Sequence, residues 1–281
     1  MATLESKPNA PMTPLKQRFI ACMQSTGRVG KSTFAEGLIS WLKYAKIPFC
    51  AMDGDRQHRT LSRRHPDYVD EFDAAGSFDD FSDLIKALPD NPVVIVDFPA
   101  NHTDFLLESS EHFQLLKFFE KISMRPTLLI FAADDLTAKE SAANTVRFFG
   151  DGADYLLIEN PARYKSSSFN KTPFAHSLKE KRGTPVFKIP TITSGTMDSW
   201  EAIERKHKTY FSLDAIRDHP DMHEFSRMEL DYVRNQFLVQ CEDCASRILP
   251  DTKLLNKENK VFRAERMKSV AVNALEDQDF A

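Results

Sequence analysis

The chain has 281 residues, of which 42% are hydrophobic and 28% are charged, and its formal net charge at neutral pH is −4. This size suits one large α/β domain with a helical addition, and the charge excludes a globally basic nucleic-acid-binding protein. No apolar run approaches the roughly 18 residues of a membrane span, and four cysteines in so long a chain do not indicate a disulfide framework. We therefore expect a cytoplasmic protein without stable membrane insertion.

Short apolar runs alternate with segments of helical periodicity over the first two thirds of the chain. The predicted strands cover residues 19–23, 48–52, 92–99, 127–132, 155–158 and 185–189, and the predicted helices cover 34–46, 78–88, 105–122 and a segment ending at Phe149. This alternation, without hairpin signals, predicts an α/β fold in which a mostly parallel sheet is wrapped by helices on both faces. The charged stretch 56–77 is expected to be a mobile, solvated connection.

The strand signals stop at residue 199, which indicates a change of architecture. Residues 199–249 are predicted to be helical with a break near His219-Pro220, and residues 251–281 are charged and weakly patterned. We predict four parts: a flexible polar leader (1–16), a wound α/β domain (17–198), a helical extension packed on it (199–250) and a loosely ordered tail (251–281).

A glycine-containing loop joins the first predicted strand to the first helix. Glycine allows successive backbone N–H groups to curl around an anion, and a helix start adds unpaired N–H groups. Lys31 can reach nucleotide phosphates, and the Ser32 hydroxyl can bind Mg²⁺. The layout predicts a phosphate-binding loop made of Gly27, Arg28, Val29, Gly30, Lys31, Ser32 and Thr33.

Polar residues follow several other predicted strands. Asp53 and Asp55 end the second strand, Asp97 ends the third and Asn160 follows the fifth. Ligands of wound sheets bind where the carboxyl ends of the strands meet, so these side chains should converge with the loop on one crevice. Asp97, which follows four apolar residues, is placed to hold Mg²⁺ directly or through water.

These motifs together resemble the MinD/ParA family of P-loop ATPases, whose deviant Walker A loop reads Lys-Gly-Gly-x-Gly-Lys-[Ser/Thr]. The resemblance covers about residues 17–195, and the sequence 53–57 resembles the family's Asp-x-Asp-Pro-Gln switch. It implies that ATP and Mg²⁺ are bound. It also implies that Ser32, Asp53 and Asp97 lie at the metal, that Asp55 positions the attacking water and that Lys31 serves catalysis. Asn160 would read the adenine edge, with Pro190 beside the base.

The loop also departs from the family pattern. Thr26 replaces the signature lysine, which in the family crosses a dimer to the partner's phosphates, and Arg28 replaces the second glycine. Either that contact between chains is absent, or Arg28 supplies it in an ATP-dependent homodimer. The sequence from Arg227 to Phe237 also resembles the helical tail of TraL-like conjugal-transfer ATPases, a subgroup of the family.

The resemblance implies a slow ATPase that acts as a nucleotide-dependent switch in plasmid or DNA partition, conjugal transfer or intracellular positioning. Two alternatives stay open. One is an ATP-dependent ligase or kinase similar to dethiobiotin synthetase, and the other is a non-hydrolysing, ATP-dependent scaffold. A protein partner or DNA would bind through the helices of 199–249. Cys241 and Cys244 form a Cys-x-x-Cys pair inside a predicted helix, where plain helical packing is favoured over redox or metal chemistry.

Overall fold

The computed structural model describes residues 14–21, 24, 27–56, 58–72, 77, 79, 82, 84–85, 88, 90–100, 103–164 and 167–255. Its strands are β1 (Gln17–Ala21), β2 (Phe49–Asp53), β3 (Val69–Glu71), β4 (Val93–Asp97), β5 (Met124–Phe131), β6 (Asp154–Glu159) and β7 (Val186–Lys188). They form one sheet in the order β3-β2-β4-β1-β5-β6-β7. All of its strand pairs are parallel. This confirms the predicted α/β fold with a mostly parallel sheet.

Helices cover both faces of the sheet. The described helices are α1 (Lys31–Tyr44), α2 (Thr60–Arg64), α3 (Thr103–His112), α4 (Leu115–Lys121), α5 (Leu136–Phe149), α6 (Ser167–Asn170), α7 (Pro173–His176), α8 (Ser194–His207), α9 (Leu213–Arg217), α10 (Glu224–Asp243) and α11 (Ala245–Ile248). Successive strand residues point to opposite faces. Ile20 accordingly joins a buried cluster with α1 and α10, whereas Phe19 joins a second cluster with α3 and α4. The sheet is therefore buried on both sides, as its apolar strands require.

Two sequence-based expectations differ from the structure, and three fall mostly outside its described part. The stretch 56–77, expected to be a mobile connection, contains the short helix α2 and the edge strand β3. The helix predicted over 105–122 is divided into α3 and α4, because Gln114 has a left-handed backbone with φ 48°. The helix predicted over 78–88, the leader and the tail fall mostly outside the described residues.

The helical extension packs directly against α1, the helix that follows the predicted phosphate loop. The rings of Phe34 and Phe187 have centroids 5.0 Å apart, and those of Phe187 and Phe237 have centroids 4.7 Å apart. Phe237 of α10 sits over Gly37 of α1, where an added Cβ would lie 2.3 Å from the Phe237 ring. Gly37 is therefore required for the close approach of the two helices.

A buried ionic cluster joins the extension to the amino-terminal ends of the strands. Asp154, the first residue of β6, forms ion pairs with Arg18 of β1, with Arg125 of β5 at 3.0 Å and with Arg247 of α11 at 2.7 Å. Arg18 also donates from Nε to the carbonyl oxygen of Leu249 at 3.1 Å. Because these contacts lie at the start of the strands, they are at the opposite edge of the sheet from the crevice at the strand ends.

Candidate functional site

The loop between β1 and α1 places an uncapped helix start at the carboxyl edge of the sheet. Gly30 precedes α1 with a left-handed φ of 106° and, as a glycine, supplies no side-chain cap to the first turn of the helix. The first intrahelical hydrogen bond runs from Phe34 N to Gly30 O at 2.9 Å. A helix start of this kind can present its first N–H groups to an anion, and the helix dipole favours negative charge at the same point.

Asn160 and Tyr164, which follow β6, hold this loop in place. The Asn160 Nδ2 donates to the Val29 carbonyl oxygen at 3.0 Å, and the Tyr164 hydroxyl donates to the Gly27 carbonyl oxygen at 3.3 Å. A Cβ at Gly30 would lie 2.4 Å from Asn160 Nδ2, so only glycine permits this clamp. Asn160, predicted as a reader of the adenine edge, thus uses its amide donor on the loop itself. The contribution of Tyr164 was not predicted from the sequence.

Lys31 and Gln24 lie on the inner side of the same loop. Lys31 is the first residue of α1, and its Nζ donates to the Gln24 carbonyl oxygen at 3.5 Å. The Gln24 side chain is buried and donates to the carbonyl oxygens of Phe131 at 3.1 Å and Ala138 at 3.3 Å. Gln24 therefore fixes the start of the loop to β5 and α5. The sequence analysis missed this role because it depends on contacts more than 100 residues away.

Ser32 and Asp97 form the centre of the site. The Ser32 Oγ donates to Asp97 Oδ2 at 2.6 Å, and Asp97 is 5% exposed. Burial raises the pKa of the Asp97 carboxyl to about 6, and the nearby Asp53 adds to this shift, while the Ser32 hydrogen bond and Lys31 oppose it. Two hard oxygen donors beside a helix start fit Mg²⁺, and a divalent cation would stabilise the buried carboxylate. The sequence prediction brought these two residues together, as the structure does.

Asp53 and Asp55 organise the segment that follows β2. The Asp53 carboxylate accepts hydrogen bonds from the backbone N–H groups of Asp55 at 3.0 Å, Leu61 at 3.1 Å and Ser62 at 3.0 Å. Asp53 therefore anchors α2, although it lies opposite Asp97 in the register of β2 and β4. The half-buried Asp55 accepts from the His58 N–H at 3.1 Å. The segment that follows β2 is therefore folded around the Asp53 carboxylate.

A charged network connects this segment to the extension. Arg64 Nη1 of α2 is 2.8 Å from Glu36 Oε2 of α1, and Arg64 Nη2 is 3.6 Å from Glu204 Oε1 of α8. The guanidinium also stands over the Trp200 ring, 4.7 Å from its centroid. Glu36 Oε1 accepts from the Leu213 N–H at 2.8 Å. Arg64 therefore contacts both the helix after the phosphate loop and the first helix of the extension.

The other residues that the sequence predicts for the nucleotide site differ in their exposure to solvent. Arg28 and Thr33 are exposed, Val29 is fully buried, and the half-buried Pro190 follows Ile189, which packs beside Gly30. Thr26 and Gln57 lie outside the described residues.

Cys241 and Cys244 are buried in the core cluster of α1 and α10, and burial raises the pKa of the Cys244 thiol to about 12. Such buried thiols pack as apolar side chains.

Comparison with known proteins shows only distant likeness of fold. No family model and no curated protein matches the chain. A chain of the MinC:MinD cell division protein complex from Aquifex aeolicus is similar with a TM-score of 0.44 and 11% identity, over 84% of this chain and 99% of that chain. The signal recognition particle receptor FtsY from Elizabethkingia anophelis gives a TM-score of 0.41 and 14% identity, over 80% and 66%. FlhF complexed with GMPPNP and Mg²⁺ gives 0.38 and 16%, over 64% and 68%. The strand order and the loop after β1 establish the fold without them.

Proposed function

We propose that this chain is a Mg·ATP-binding P-loop ATPase of the MinD/ParA type that acts as a nucleotide-dependent switch. The observation that carries the proposal is the Ser32–Asp97 pair, held at 2.6 Å beside the uncapped start of α1. Phosphate would bind to the loop and to Lys31, and Ser32 and Asp97 would hold Mg²⁺. When bound, Mg²⁺ neutralises the charge that develops on the phosphate oxygens.

The direct test compares Lys31→Ala with the wild-type chain in a thermal-shift titration with ATP and Mg²⁺. Lys31 points toward the loop and contributes little to the core, so the variant should fold but gain little stability from the nucleotide. Lys117→Ala, an exposed lysine of α4, is the matched control and should respond like the wild type. Equal stabilisation of Lys31→Ala and the wild type would overturn the assignment.

Turnover separates the switch ATPase from the alternatives. We propose that Asp55 positions the attacking water, because phosphoryl transfer needs positioning more than a strong base. Basal phosphate release without a second substrate favours the ATPase over a ligase or kinase. Binding of ATP without any release would instead support a scaffold.

The selectivity for adenine over guanine needs a separate test, because the Asn160 amide donates its hydrogen bond to the loop. We expect Asn160→Ala to weaken ATP and GTP binding by a similar factor, since the lost bond to Val29 loosens the loop for any nucleotide. A loss confined to ATP would show that Asn160 reads the adenine edge, as the resemblance implies. Competition binding with both nucleotides distinguishes these results.

The switch would act on a partner through the extension, in partition, conjugal transfer or intracellular positioning. Phe225, Met228 and Tyr232 of α10 are 71%, 63% and 57% exposed and share one face of the helix, as their spacing requires. Exposed acidic residues, Glu224 and Asp231, flank this stripe. An apolar stripe with acidic neighbours favours a protein partner over DNA.

Two basic residues of the extension are engaged in ion pairs and give DNA less support. Arg217 and Arg234 both bind Asp214, with N–O distances of 3.5 Å and 2.6 Å, and their side chains are largely buried. They therefore stabilise the extension rather than offer a basic face. A mobility-shift assay at low salt tests this interpretation, and salt-sensitive binding to DNA would contradict it.

A further inference from the structure

Two histidines and an aspartate meet at one end of the extension, among residues to which the nucleotide site assigns no role. His207 is the last residue of α8, and His219 and Asp221 lie in the turn between α9 and α10. One ring nitrogen of each histidine and one carboxylate oxygen of Asp221 all lie within 4.8 Å of one another. The His207 Nε2 and Asp221 Oδ2 atoms are 3.1 Å apart.

This donor set has the chemistry of a zinc site. Zn²⁺ binds imidazole nitrogen and carboxylate oxygen at about 2.0–2.2 Å, so neighbouring ligand atoms in a tetrahedral site are about 3.3 Å apart. The His207–Asp221 edge already has this length. The other two edges must close by about 1.5 Å at most, which rotation of the half-buried His219 ring, the ligand that both edges share, can provide. Water would complete the coordination.

The turn holds two of the three ligands on a fixed backbone. The His219 carbonyl oxygen accepts from the Met222 N–H at 3.0 Å and from Arg227 Nη2 at 3.2 Å. The Asp221 N–H donates to His219 Nδ1 at 3.1 Å. A metal bound to either ring nitrogen removes this last bond, because it either occupies Nδ1 or moves the ring proton there. This is an exposed and replaceable bond, whereas the backbone bonds that shape the turn are unaffected.

Lys206 competes with a metal for the same carboxylate. Its Nζ is 2.6 Å from Asp221 Oδ2, and its side chain is 65% exposed. A cation entering the site must displace this ammonium group, which is free to move into solvent. The lysine should therefore lower the affinity of the site without closing it.

We propose that His207, His219 and Asp221 form a binding site for one divalent transition-metal ion, and that Zn²⁺ is the ion their donor set fits best. The bound ion joins the carboxyl-terminal end of α8 to the turn before α10. Glu204, one turn earlier in α8, is 3.6 Å from Arg64. Metal binding therefore stiffens the helix that contacts the segment after β2.

The test is a Co²⁺ titration of the full, nucleotide-free chain, followed by visible absorption, with excess Mg²⁺ present to fill the oxygen site at Ser32. We expect one Co²⁺ to bind, Zn²⁺ to displace it, and no thiolate band in the near ultraviolet. His219→Ala and Asp221→Asn should each weaken Co²⁺ binding by about tenfold or more. Removing a residue that merely supports a metal ligand already has an effect of this size, and removing the ligand itself should cost at least as much. Lys206→Met should strengthen it.

The matched control is His176→Ala. His176 and Glu180 form a surface pair with the same kind of contact, 3.0 Å from Nε2 to Oε2. The Co²⁺ affinity of His176→Ala should equal that of the wild type if His207, His219 and Asp221 form the site. Equal Co²⁺ affinity in the wild type and Asp221→Asn, which preserves the side-chain shape, would overturn the proposal. So would a loss in His176→Ala as large as in His219→Ala. Far-ultraviolet circular dichroism of each variant confirms that it is folded.

Discussion

Arg64 and Glu36 form an ion pair of 2.8 Å between α2 and α1, and Glu36 is 5% exposed. Burial by itself would lower the pKa of Arg64, but the neighbouring Glu36 and Glu204 raise it above the usual value. The other carboxylate oxygen of Glu36 accepts from the backbone of α9. A single buried carboxylate therefore joins the helix after the phosphate loop, the segment that Asp53 anchors and the extension.

Arg64→Met should destabilise the chain because it leaves the Glu36 carboxylate buried without its charged partner. We expect the free energy of unfolding to fall by about 1.5–3 kcal/mol, the range for hydrogen bonds to charged groups. Urea denaturation measures the change. Arg63→Met is the control, since Arg63 is exposed and its contact with the Tyr210 hydroxyl is long, at 3.4 Å. An equal loss of unfolding free energy in both variants would show that the ion pair with Glu36 contributes no more to stability than the exposed contact of Arg63.

Asp55→Ala should separate nucleotide binding from hydrolysis. Asp55 is half-buried, and its carboxylate accepts a local hydrogen bond from the His58 N–H, three residues away, so we expect its removal to leave the fold and ATP affinity intact. We expect kcat to fall by about 100-fold or more, the effect of losing a positioned acid or base group. Phosphate release is the measurement, and Asp70→Ala, an exposed acidic residue of β3, is the control. Wild-type turnover in Asp55→Ala would direct the search to another group, with Asp134 first.

We propose that Arg28 decides whether two chains close on the nucleotide. It is exposed in the loop and has a left-handed φ of 60°, a conformation that glycine adopts without strain. Arg28→Gly therefore removes the charge without straining the backbone. A charge-assisted contact to phosphate contributes about 1.5–3 kcal/mol, or one to two decades in affinity. In an Asp55→Ala background, we expect Arg28→Gly to abolish an ATP-dependent dimer.

Light scattering after size-exclusion chromatography, with and without ATP, measures the oligomeric state directly. Arg28→Lys keeps the charge and serves as the control. A chain that stays monomeric with ATP would mean that the contact between chains is absent. A dimer that forms with ATP and survives Arg28→Gly would contradict both alternatives.

Asp154 should make stability depend on pH in the acidic range. Burial alone would raise its pKa, but the hydrogen bonds and charges of Arg125 and Arg18 hold it below the usual value. Its stabilising effect is therefore present above the unfolded pKa of about 3.9 and is lost as the pH falls through the lower folded pKa. Asp154→Asn should cost about 3 kcal/mol near neutral pH.

The difference between the wild type and Asp154→Asn should shrink below about pH 4, because the unfolded carboxyl binds a proton there before the folded, arginine-paired carboxylate does. Urea denaturation over pH 3–7 tests this. Asp151→Asn is the control, because the Asp151 side chain is 97% exposed although it also pairs with an arginine. A constant difference across this range would contradict the assignment of the effect to ionisation.

The strand ends were the predictable part of the site. A run of apolar residues followed by an acid is a local signal, and it placed Asp53 and Asp97 at neighbouring positions of the sheet. The segment after β2 was not predictable in this way. Strand β3 has three residues, two of them acidic, and α2 has five, so neither carries a periodic signal. These elements form because Asp53 and β2 supply their partners.

The contacts that hold the loop were also invisible to local patterns. Asn160 was selected for a role toward the base, but its observed bond to Val29 joins residues 131 positions apart. The same holds for Arg64 and Glu36, which are 28 residues apart, since Arg64 lies in the stretch that was expected to be a solvated connection. Long-range pairing of polar groups depends on how the helices pack, which the spacing of apolar residues does not specify.

The contact between Gly37 and Phe237 also limits how the protein can move. An aromatic ring seated where a Cβ would stand prevents α10 from translating along α1, because the adjacent positions of α1 carry side chains. A shift of one helical turn, about 5.4 Å, would force the ring against them. The two helices must therefore travel together. We therefore expect a change of shape on nucleotide exchange to arise on the other side of α1, where the Arg64 guanidinium links α2 to α8.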